Sequence, residues 1–157
     1  MTVRIAPSSS LVSDPATSIP PASRRWEEPV PLGRAGAIYD LIVTVGFATP
    51  WTAAVVLELQ RAAHAALGLP GSPTPVFGPL ELMFTAMMGT AVTMWALARI
   101  LHPVASLIAI DTGGRVAFSA WMVTALVGGA SPVIVMFLAF EVLWGVLQGI
   151  GVFRALR

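Results

Sequence analysis

A carboxylate and a guanidinium, Asp111 and Arg115, interrupt an otherwise apolar run that extends from Ser106 to Val127. Their separation is about one turn of helix, so the two groups share a face. The run holds roughly 20 residues, which at ~1.5 Å per residue crosses a hydrocarbon core of about 30 Å. A charge at that depth costs on the order of 3 kcal/mol even on the lenient insertion scale, so other polar groups must meet this pair. Finding them organises the rest of the chain.

Composition makes the membrane reading general. Of 157 residues, 56% are hydrophobic and 11% charged, against about 25% charged in soluble domains, and the mean hydropathy is +0.81. A net charge of +1 excludes a nucleic-acid partner, which needs a concentrated basic face. The chain has no cysteine, which excludes disulfide exchange, thiolate metal sites and iron–sulfur ligation. All nine basic residues are arginine, as suits a GC-rich bacterial genome.

Residues 1–34 read as a disordered cytoplasmic tail, with Ser8-Ser9-Ser10, prolines at 7, 15, 20, 21, 29 and 31, and no extended apolar segment. The tail lacks the apolar core of a secretory signal. Residues 35–157 form the expected membrane domain, an all-α bundle of four transmembrane helices with an extra amphipathic helix after the first crossing. The first crossing runs from Ala35 to a break at Pro50, and Pro50 opens the amphipathic helix, which ends near Gly68. Gln60, Arg61 and His64 share one side of it and Val55, Val56, Leu59, Ala63 and Ala66 the other, which places it along the outer interface. The further crossings are Leu80 to Leu101, Ser106 to Val127, and Val133 to about Phe153, the last with Ser131 as N-cap and Pro132 at the first helical position.

Arginines mark the tail, the Arg99/His102 turn and the C-terminus, whereas the Gly68 to Pro79 linker and the Gly128 to Pro132 turn carry no charge. The positive-inside rule therefore puts both termini in the cytoplasm of a bacterial inner membrane, with Arg61 the one dissenter. Counted along the helices, Arg115 lies roughly 14 Å deep from the inner side and Glu141 roughly 12 Å from the outer side, so they meet at one level and are expected partners. Asp111, roughly 8 Å deep, pairs with Arg99 or Arg115, and Asp40 joins them from the first helix. Glu141, Gly145, Gln148 and Gly149 form an inward stripe, and the Gly145–Gly149 spacing admits another helix, in this chain or in a homodimer. Gly113 and Gly114 are expected to permit close packing or a local unwinding.

The buried polar centre is thus Asp40, Arg99, Asp111, Arg115, Glu141 and Gln148, with Trp95 and Trp144 as flanks of a pocket. Two readings of it stand: an ion-pair network that fixes helix register, or the lining of a small-ligand or proton path. His64 and His102 belong to opposite sides and cannot share one haem iron. There is no phosphate loop, nucleophile elbow or metal-binding His/Glu set, so neither a catalytic residue nor a metal site is assigned. Met83, Met87, Met88, Met94, Met122 and Met136 read as lipid-facing or packing residues.

Trp95-Ala96-Leu97-Ala98-Arg99, Asp111-Thr112-Gly113-Gly114-Arg115 and Glu141-Val142-Leu143-Trp144-Gly145-Val146-Leu147-Gln148 together resemble the small four-helix membrane proteins of the DoxX-like group. The resemblance covers about residues 36 to 153 and implies a four-helix bundle with a polar centre. Members are mostly uncharacterised; some resemble membrane subunits of quinone-linked sulfur oxidation, and others, the BphX-like proteins, sit beside aromatic-degradation enzymes. Three functions follow as expectations. The first is a non-enzymatic accessory or assembly module partnered with another membrane protein. The second is a subunit binding a quinone or small lipophile, the quinone being the one cofactor the resemblance brings in, held by Arg115 and Glu141 between Trp95 and Trp144. The third is a small-solute or proton transporter, which would have to act as an oligomer.

Overall fold

The structure, a computed structural model, describes residues 22–157; residues 1–21, most of the expected disordered tail, lie outside the described residues. The described chain is all-helical, with only two isolated bridges between extended residues. A short helix α1 (Ala22–Arg25) leads into an extended strap that docks on the start of α5 (Ala105–Val127). The first N–H groups of any helix lack intrahelical acceptors, and the residue preceding α5, Val104, supplies no side-chain cap. Strap carbonyls fill that role: Ala105 N donates to Glu28 O at 2.9 Å and Ser106 N to Trp26 O at 3.0 Å, while Val30 N donates to Pro103 O at 2.7 Å. Val30 is buried with Ala105, Ile108 and Val152. Order therefore begins well before residue 35, because the strap completes the end of another helix.

Helix α2 (Pro31–Thr44) has proline in its first turn and passes into a 3-10 turn, Val45–Phe47, before α3 (Pro50–Ala66). The sequence places the break at Pro50, but regular helix stops at Thr44. What Pro50 does is start α3, where Thr49 Oγ1 caps Thr52 N at 3.2 Å. The two arms meet at 99°. Carbonyls released at the bend need donors, and Thr90 Oγ1 of α4 (Pro79–Leu101) supplies one to Ala48 O at 3.1 Å.

The amphipathic helix is present with its faces used in an unexpected way. Trp51, Val55 and Leu59 are exposed, while the polar side is turned to the protein. Gln60 Oε1 accepts from Thr74 Oγ1 at 3.3 Å, and His64 Nδ1 shares a hydrogen bond with Ser131 Oγ at 2.8 Å. Arg61 is held by Glu58 at 2.5 Å and by Pro75 O at 2.9 Å, so the dissenting arginine of the charge pattern is neutralised locally.

Helix α6 (Ile134–Leu156) starts later than expected, with Val133 and not Ser131 at its N-cap. Ser131 instead ties the α5–α6 turn together, accepting from Val133 N at 3.3 Å and pairing with His64. Helix α2 packs between α4 and α6, and α6 runs along α5. One end of the molecule gathers the strap, the α4–α5 turn and the C-terminus, where Arg25 Nη1 donates to Leu156 O and Arg157 O at 2.7 and 2.9 Å. At the other end the linker after α3 meets the α5–α6 turn through Ser72 N and Gly129 O at 2.8 Å.

Helices α4 and α6 are long and apolar enough to cross a membrane, and the bent pair Pro31–Phe47 with Pro50–Ala66 makes a third if taken as one span. At 23 residues α5 matches α4 and α6 in length but carries Asp111 and Arg115. Large apolar side chains such as Ile42, Val116 and Trp121 point outward, while Arg99, Arg115, Asp40, Asp111 and Gln148 are buried. Water-soluble folds rarely expose so much contiguous apolar surface, and lipid-facing ones do.

Candidate functional site

The buried charges meet because four helices turn them toward one another in the interior. Asp40 comes from α2, Arg99 from α4, Asp111 and Arg115 from successive turns of α5, and Glu141 and Gln148 from α6. Arg99 bridges two carboxylates, donating from Nη1 to Asp111 Oδ2 at 2.5 Å and from Nη2 to Asp40 Oδ2 at 2.6 Å. Arg115 is the hub. Its Nη2 donates to Asp40 Oδ2 at 2.5 Å, its Nη1 to Glu141 Oε2 at 3.0 Å, and its Nε to both Asp111 Oδ2 at 3.1 Å and Gln148 Oε1 at 3.0 Å. Charged, forked hydrogen bonds of this kind are the strong ones, and the planar guanidinium fixes their directions.

All six polar residues expected at the centre are therefore in one connected network. The pairing is broader than the sequence suggested: Glu141 has Arg115 as its partner, but Arg115 is shared among three carboxylates on three helices. Burial is nearly complete for Arg99 and Gln148, both 0% exposed, whereas the Glu141 side chain retains 17%.

The two tryptophans take other places. Trp95 Nε1 donates to Asp111 Oδ1 at 2.9 Å, and the Arg99 guanidinium carbon lies 5.8 Å from its ring centre, so Trp95 belongs to the network itself. Trp144 lies against Tyr39, ring centres 5.9 Å apart, and its Nε1 has no partner among the described residues.

Neither tryptophan lines the cavity that opens on the network. That cavity, about 390 Å³, has Asp40, Arg115 and Glu141 as its polar floor and Tyr39, Phe47, Val92, Phe118, Met122 and Phe137 among its walls, with Gln60 also reaching it. Sequence reasoning missed these wall residues because Met88, Met122 and the phenylalanines look like any lipid-facing side chain. A usable signal was the one tyrosine, Tyr39, placed directly before Asp40. Gln60 also borders a second cavity of about 580 Å³ formed by the linker after α3 and the α5–α6 turn. Arg115 and Glu141 border a third, about 310 Å³, between α5 and α6.

The glycines on α5 and α6 show which faces of these helices meet. Gly145 lies against the Arg115 side chain and Gly149 against Thr112, so that stripe of α6 faces α5 of the same chain. Gly113 and Gly114 do neither of the things expected of them: α5 is continuous through both, and a Cβ on either would meet nothing within 4 Å.

Comparison with family models, with curated proteins and with solved structures finds no match for this chain.

Proposed function

We propose that this chain is a four-helix, multi-pass protein of the bacterial inner membrane, DoxX-like in architecture, whose role is to bind a small amphiphile without transforming it. Helices α2, α4, α5 and α6 cross the bilayer, α3 lies at the outer interface with Trp51, Val55 and Leu59 toward lipid, and both termini are cytoplasmic. The gathering of the strap, the α4–α5 turn and the C-terminus at one arginine-bearing end supports an even number of crossings. The ion network holds the helices in register while leaving one side of Glu141 open.

The observation that carries this reading is the cavity of about 390 Å³ with a charged floor and apolar, aromatic walls. Binding sites for small molecules are concave, mostly apolar and oriented by a few polar groups, at volumes of about 300 to 1,000 Å³. A quinone or another lipophile with a polar end has the shape for it. Native mass spectrometry of protein extracted gently from its membrane is expected to show a small-molecule adduct. The bulky substitution Val92→Trp, on the cavity wall, should remove that adduct without unfolding the protein. No adduct in the parent, or one indifferent to Val92→Trp, would count against the reading.

Orientation has its own test. Ser72 is exposed in the outer linker, so a cysteine placed there should react with a membrane-impermeant thiol reagent in intact cells, and one placed at Ser9 should react only after lysis. The reverse pattern would invert the topology.

A further inference from the structure

Two guanidiniums, Arg99 and Arg115, share one network with three carboxyl groups, Asp40, Asp111 and Glu141. With every group ionised, the centre carries one negative charge in excess. An unbalanced charge at bilayer depth is expensive, so a further positive charge is required, and exposure shows where it would arrive. Asp111 is saturated, accepting from Trp95 on one oxygen and from both arginines on the other. Asp40 accepts from both arginines on Oδ2, and its Oδ1 receives no donor among the described residues. Glu141 has Arg115 on Oε2, no donor on Oε1 among the described residues, and the most exposed side chain of the three. Asp40 and Glu141 both border the central cavity.

We infer that the central cavity takes a lipophilic cation, a protonated amine or quaternary ammonium on an apolar body, with its charge against Glu141 and the free oxygen of Asp40. The inference rests on the amphiphile-binding reading and narrows it. Tyr39, Phe47, Phe118 and Phe137 line the same cavity, and aromatic rings are the apolar groups that attract cations. A neutral head, such as that of a quinone, leaves the excess charge unbalanced, and an anionic head adds to it.

The test is equilibrium binding of radiolabelled benzyltrimethylammonium to the full chain in nanodiscs of zwitterionic lipid, counted against empty nanodiscs. Its neutral isostere neopentylbenzene and decylubiquinone serve as competitors. Saturable binding is expected, lost at least about tenfold in Glu141→Gln, and poorly displaced by either neutral molecule. Glu141→Gln retains the other contacts of Arg115, and its thermal melt checks that it is folded; Phe137→Leu, which removes an aromatic wall, should also weaken binding. If the neutral molecules bind as well as the cation and Val92→Trp abolishes all three, the cavity stands as a lipophile site and the cation assignment is overturned. If none binds in a manner sensitive to Val92→Trp, the cation assignment and the amphiphile reading fall together.

Discussion

Replacing Arg115 with leucine is expected to be among the most damaging single substitutions in the chain, lowering stability by about 3 to 5 kcal/mol, because it strips a cation from three carboxylates at once and leaves them buried. Glu141→Leu should cost distinctly less, since Arg115 keeps Asp40, Asp111 and Gln148. In a simple two-body pair the double substitution would recover much of the loss. Here Arg115→Leu/Glu141→Leu should stay close to Arg115→Leu alone, because Asp40 and Asp111 still compete for Arg99. Adding Asp40→Leu leaves one cation facing one carboxylate, Arg99 with Asp111, and should restore a substantial part of the stability. The melting temperatures of the four variants in one detergent decide the matter. A double mutant as stable as the parent would mean that Arg115 and Glu141 are an isolated pair and that the hub does not exist.

The charged centre was legible in the sequence because charge inside an apolar helix is rare and carries its own demand for a partner. Counting turns along α5 and α6 brought Arg115 and Glu141 to one level, and the structure gives 3.0 Å between them. What counting could not give was the rotation of each helix about its axis. That rotation decides that Asp40 reaches both arginines and that Trp95 joins the network instead of walling a pocket. The cavity escaped for the same reason: its walls are ordinary apolar residues whose only distinction is the direction in which they point.

Three local features were misread through short-range rules that a longer-range contact overrides. Pro50 is a sound helix-breaking signal, but α2 ends at Thr44 because the 3-10 turn after it is docked against α4. Residues 26–30 are too polar to form a core of their own, yet they are ordered because the open N–H groups at the start of α5 need acceptors. Ser131 met every condition for an N-cap and was recruited by His64 at the α5–α6 turn. In each case the partner lies on a different helix, where no sequence window reaches.

Gly89→Ala is expected to destabilise the bundle by about 1 to 3 kcal/mol, the usual cost of overpacking a close contact. A Cβ at Gly89 would fall onto the backbone carbonyl of Phe47, in the turn that ends α2. Backbone cannot rotate aside as a side chain does, so the turn itself must move away from α4. Phe47 also lines the central cavity, and its displacement should weaken the binding proposed for that cavity. The contrast that isolates this effect lies on α5. Gly113→Ala and Gly114→Ala introduce a methyl group into open space, and alanine is favoured over glycine in a helix by up to about 1 kcal/mol. Those two substitutions should be neutral or stabilising and leave binding unchanged. Thermal melts of the three variants, each with its ligand affinity, test the packing directly. If Gly89→Ala melts with the parent, the 3-10 turn is not pressed against α4, and the sharp bend between α2 and α3 needs another cause.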